Sequence, residues 1–127
     1  MAVAVQEAST SVDVVTEAVL DVYRAQLDDA TEMALAELTE RAGSVGAVRA
    51  IVAAESRTVE IVLDDDASPD TLTDVAWFLH ERSWQVNVLV HLSRLGDTHT
   101  DLRGTPVTLQ GWWLDDDAVR FAGFERP

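Results

Sequence analysis

The chain has 127 residues, 47% hydrophobic and 25% charged, a composition that fits one globular domain over 1–127 and excludes disorder. Twenty-three acidic residues face nine basic ones, a net charge of −14, so phosphate backbones and anionic membrane surfaces are repelled rather than bound. Cysteine is absent, which removes disulfides, thiolate nucleophiles, Cys-ligated zinc and iron–sulfur clusters.

All nine bases are Arg. The absence of Lys excludes Schiff-base chemistry and a phosphate-loop lysine. An acidic, Arg-only composition rich in Ala, Val and Asp fits a high-salt cytoplasm or a GC-rich genome. The functional alternative is an acidic surface that mimics DNA or docks on a basic partner. No apolar run approaches the roughly 18 residues of a membrane span. The first basic residue is Arg24, so no charged leader is expected and the expected location is cytoplasmic.

In chain order, 1–9 reads as a loose tail. Helical spacing then runs over 10–42. Val12, Val15, Val19, Val22, Ala30 and Met33 form one apolar stripe, and Leu20, Tyr23, Leu27, Ala34 and Leu38 an adjoining one. Gly43 can end this helix. It would span about 48 Å, more than the roughly 36 Å diameter of a compact chain of this length. It therefore either breaks, near Asp28-Asp29, or is covered by a partner.

The remainder, 45–127, reads as a sheet region. Residues 47–54 read as a strand or as further helix, with strand favoured because Glu55-Ser56-Arg57 can turn the chain into the next run; 58–64 is a strand, alternating Val59, Ile61 and Leu63 against Glu60 and Asp64. Ser68 and Pro69 start a helix of about 15 residues. A strand follows over 84–92. This strand–helix–strand unit predicts parallel strands and a right-handed crossover. Residues 93–103 allow a short helix. Strands at 107–114 and 119–124 flank Asp115-Asp116-Asp117 as a hairpin. The fold class is thus α+β: a long N-terminal helix, a β-hairpin, a βαβ unit and a C-terminal hairpin in one mixed sheet of about five strands.

The element order is similar to that of restriction-endonuclease-like nucleases, a helix, three strands, a helix and a strand. Their chemistry needs a (D/E)xK dyad, and the matching place, Glu60-Ile61-Val62, has no Lys. The resemblance is one of order without motif and assigns no family.

Two groupings could hold a divalent cation such as Mg²⁺: Asp64, Asp65 and Asp66 at the end of a parallel strand, and His99 between Asp97 and Asp101. The plain alternative is that Asp fills turns, as the second Asp triplet suggests. No nucleophile elbow or glycine-rich phosphate loop occurs. Strand parity places Trp113 with Val107, Leu109 and Gly111 in the core, and Trp112 with Thr108 and Gln110 on a polar face. Trp112 therefore needs cover. With Val12, Val19, Tyr23 and Leu27 of the overlong helix, it suggests self-association. The expected function is non-catalytic: a homodimer or a protein-binding module with no cofactor. The alternative is a Mg²⁺-dependent enzyme or small-ligand-binding domain at Asp64–Asp66.

Overall fold

The computed structural model describes residues 2–39, 48–64 and 67–127, with side chains described from Val12 onward except at Ala36 and Val48. Helix α1 (Ala2–Ala25) precedes strand β1 (Ala30–Ala34) and a single turn of helix, α2 (Leu35–Leu38). A hairpin of β2 (Val48–Ala53) and β3 (Thr58–Leu63) follows. A 3₁₀ turn at Pro69–Leu72 runs into α3 (Thr73–Glu81), and β4 (Gln85–His91) comes next. Another 3₁₀ turn at Leu92–Arg94 leads into α4 (Leu95–Asp101). The chain closes with the hairpin β5 (Val107–Asp115) and β6 (Ala118–Phe121).

The six strands lie in sequence order in one sheet. β1, β2 and β3 form an antiparallel meander, β3, β4 and β5 are parallel, and β6 returns antiparallel to β5. The α+β class and mixed sheet agree with the sequence reading, with β1 as an additional strand.

The helix expected over 10–42 divides, and the place is physically defined. The N–H of Asp28 bonds to Tyr23 O at 3.0 Å and that of Leu27 to Arg24 O at 3.0 Å, the paired bonds of a Schellman stop. Leu27 takes φ 61° at the position usually given to Gly. The chain is then captured by the β2–β3 turn. The Asp28 carboxylate accepts N–H groups of Glu55 at 3.1 Å and Ser56 at 3.2 Å, and Ala54 N–H bonds to Asp29 O. Pairing with β2 outweighs the helical periodicity over Ala30–Ala34. The expected helix end at Gly43 lies outside the described residues.

Both faces of the sheet are covered. α3 and α4 pack on Val59, Ile61, Leu63, Val86, Val88, Val90, Val107 and Leu109. On the other face, α1 lays Val15, Val19 and Leu20 over Ile51, Ala53, Val62, Leu89 and Trp112. A parallel sheet needs cover on both faces, because its crossover helices occupy one and water cannot be left on the other. Arg49 of β2 helps hold α1 in place, pairing with Asp13 and, at 3.3 Å, with Glu32. Gly111 lets the chain after β4 come close: a Cβ there would lie 3.0 Å from Leu92 Cδ1. The Asp115–Ala118 turn has Asp116 and Asp117 at φ 48° and 66°, the left-handed pair of a tight two-residue hairpin, which Asp tolerates better than most residues.

Candidate functional site

Strand pairing sets a polar row on the α1 side of the sheet. Glu60 of β3 lies opposite Asn87 of β4, and Asn87 opposite Thr108 of β5. Gln110 is two residues further along β5, on the same face as Thr108. Tyr23, in the last turn of α1, reaches down to this row. Its hydroxyl donates to Glu60 Oε1 at 2.7 Å. Asn87 Nδ2 donates to Glu60 Oε2 at 2.6 Å and to Gln110 Oε1 at 3.3 Å. Thr108 Oγ1 donates to Asn87 Oδ1 at 2.9 Å. Gln110 Nε2 is anchored on the carbonyl of Ala122 at 2.9 Å.

Glu60 is only 7% exposed. Burial raises its carboxyl above the ordinary value, against the hydrogen bonds from Tyr23 and Asn87, which favour the charged form. The same burial, followed by the adjacent Glu60 charge, raises the Tyr23 phenol. In the bond between them Tyr23 is the donor and Glu60 the acceptor.

Tyr23, Glu60, Asn87 and Thr108 of this row floor a cavity of about 600 Å³ at the amino ends of β3, β4 and β5, within the size range of small-molecule sites. Its walls are Trp84, Val86, Pro106, Val107 and Phe124, with His80 and Arg126 also lining it. Trp84 is held from behind by Arg57, whose guanidinium lies 4.5 Å from the ring centroid. A smaller cavity of about 260 Å³ shares Tyr23, Glu60 and Phe124 and is otherwise walled largely by Val19, Val22, Leu89 and Phe121. The C-terminal segment that carries Phe124 is held by the reciprocal bonds between Leu109 and Glu125, both 2.8 Å.

The residues singled out from the sequence fall elsewhere, Tyr23 excepted. Trp112 is buried at 4%, beneath α1. The parity that separates it from Trp113 holds, but the face it occupies is interior, and Trp113 is the half-buried member of the pair. The indole Nε1 of Trp112 has no hydrogen-bond partner among the described residues, and its ring meets His91 edge-on at 4.8 Å. Val19 is buried and Val12 half-buried against the same cluster. Leu27 alone of the proposed interaction residues points to solvent, 86% exposed.

Of the Asp triplet, Asp65 and Asp66 lie outside the described residues. Asp64 accepts the N–H of Ala67 at 3.0 Å, while Arg94 donates to the carbonyls of Asp64 at 2.7 Å and Ala67 at 3.0 Å. Asp64 thus shapes a turn that Arg94 clamps. His99 is half-buried on α4. No three acidic or histidine side chains converge as metal ligands among the described residues.

Glu60, Asn87, Thr108 and Gln110 were legible only as the polar side of alternating strands. The missed signal was that consecutive parallel strands bury both faces, so polar residues on the second face lie inside. Val62, on the same face as Glu60 and two residues on, occupies the place of the nuclease lysine and is fully buried in the α1 cluster. The dyad's chemistry has no cation here. No family model, curated protein or solved structure matches the chain.

Proposed function

We propose that the protein binds a small organic molecule in the cavity floored by Glu60. The observation that carries this reading is a carboxylate, 7% exposed, on the floor of a cavity of about 600 Å³. Its polar partners come from the adjacent central strands and from α1. A core needs none of these groups. Leu or Val at 60, 87 and 108 would pack without the cost of removing a charge from water. Polar groups that converge among aromatic and aliphatic walls are the ordinary composition of a ligand site. The reading is of binding; the row contains no nucleophile paired with a general base.

The test is a ligand-detected NMR screen of a fragment library against the wild type and Gln85→Trp. Gln85 lines the cavity yet is exposed, so the larger side chain blocks the cavity without disturbing the core. Fragments should bind the wild type and lose binding in the variant. A library without hits, or hits indifferent to Gln85→Trp, contradicts the proposal.

Self-association is a second reading, favoured by Val22 and Leu27, 50% and 86% exposed at the end of α1, and by the free outer edge of β1. Light scattering that gives twice the 13.9 kDa chain mass would support it, and a monomer at every salt concentration would end it. A cytoplasmic location accords with the cysteine-free composition. No helix among the described residues is long and apolar enough to cross a membrane.

A further inference from the structure

We infer that the ligand of the Glu60 cavity is an organic cation carrying N–H donors on an apolar or aromatic body, with its charged end on Glu60. This rests on the binding reading above and adds the chemical class.

Donors and acceptors are unequally used on the cavity floor. The Tyr23 hydroxyl hydrogen is spent on Glu60. The two amide hydrogens of Asn87 are spent on Glu60 and Gln110. The Thr108 hydroxyl hydrogen is spent on Asn87. The floor has therefore used all its side-chain donors internally.

What it keeps is acceptor capacity. A carboxylate oxygen has two lone-pair sites, and each Glu60 oxygen takes one donor from the protein. On the floor itself a ligand that only accepts finds no unspent hydrogen; the other side-chain donors that line the cavity, on His80, Gln85 and Arg126, are exposed at its rim, beside the Trp84 indole. A ligand that donates finds a carboxylate with free capacity on both oxygens. Burial strengthens that preference, since a charge-assisted bond in a water-poor setting is worth more than a neutral one.

The remaining charges sharpen the class. The groups that line the cavity with Glu60 are Tyr23 from α1, His80 from α3 and Arg126 from the C-terminal segment. His80 and Arg126 are both exposed, so water screens them. The chain as a whole carries −14, which draws cations toward it and disfavours anions. The walls of Trp84, Val107 and Phe124 provide aromatic and aliphatic surface for the body of the ligand.

Three probes of matched shape test this on the full chain: benzamidine, a cation with paired N–H donors; benzamide, its neutral counterpart; and benzoate, its anion. Each is titrated by ¹H–¹⁵N NMR against the wild type and Glu60→Gln. Benzamidine should bind at least tenfold more tightly than benzamide, and benzoate should not bind. Glu60→Gln should erase the advantage of benzamidine while leaving benzamide unchanged. If the variant fails to fold by circular dichroism, the order of the three probes on the wild type decides alone. Benzamide or benzoate binding as well as benzamidine overturns the inference, as does a benzamidine affinity indifferent to Glu60→Gln. If none of the three binds while other library fragments do, the ligand class is wrong and the cavity reading stands. An empty library screen defeats the cavity reading itself.

Discussion

Glu60 is a residue whose local chemistry opposes the stability of the fold. Its carboxyl is raised by burial, so the native state holds its proton to higher pH than the unfolded chain does. A raised carboxyl contributes stability that is present below the ordinary glutamate range and lost as pH rises through the folded value. Glu60→Gln keeps the shape and removes the charge. The variant should melt at least as high as the wild type at neutral pH, and the difference should close toward about pH 4. A variant less stable by the same margin at every pH would mean that the bonds from Tyr23 and Asn87 outweigh the burial of the charge. Asp28 behaves in the opposite sense. The Ser56 hydroxyl, and then the N–H groups of Glu55 and Ser56, hold its carboxyl below the ordinary range. Its contribution is present above that range and is lost as pH falls through the lowered value. Asp28→Ala should lower the melting temperature at neutral pH and flatten this acid limb, which a series of thermal melts between acid and neutral pH would detect.

Among the elements, α1 and its ending show both what periodicity can tell and where it fails. The stripe of Val12, Val15 and Val19 correctly marks the buried side of α1. The same spacing carried on through Ala30, Met33 and Leu38 because alternate small residues satisfy helical and strand periods together. What decides the matter is long-range: the Asp28 carboxylate on the β2–β3 turn and the pairing of β1 with β2. Neither partner is adjacent in sequence. Leu27→Gly tests the break. At φ 61° and 86% exposure the side chain is strained and packs on nothing, so Gly should leave stability unchanged or raise it by up to about 1 kcal/mol. In a continuous helix the same change would cost about 1 kcal/mol, and chemical denaturation separates the two outcomes. Trp112→Ala tests how α1 is seated. Loss of a buried Trp costs about 3–5 kcal/mol, a large part of a small domain's stability. Trp113→Ala, at a half-buried position, should cost less. The reverse order would place α1 on the wrong face.

For the whole molecule, the order of strands and helices from β2 onward was legible, because βαβ spacing and turn residues are local signals. The polar site was not, because Glu60, Asn87 and Thr108 lie on three different strands and come together only through register. Twenty-three acids on a chain this small also impose a global property. The compact state repels itself, and salt screens that repulsion within about 10 Å at 0.1 M. Melting temperature should therefore rise from low to molar NaCl, and a flat response would refute the repulsion. The row under α1 stands apart from this surface charge. It is a buried, satisfied network open to a cavity, and the central claim is that the opening serves a ligand. The most direct measurement is the map of amide and indole chemical-shift changes when a library fragment binds. The predicted result is a patch confined to the cavity walls, with Asn87, Thr108 and the Trp84 indole moving most and α4 silent. Shifts centred on α4, or none at Asn87 and Thr108 with any fragment, would contradict the account.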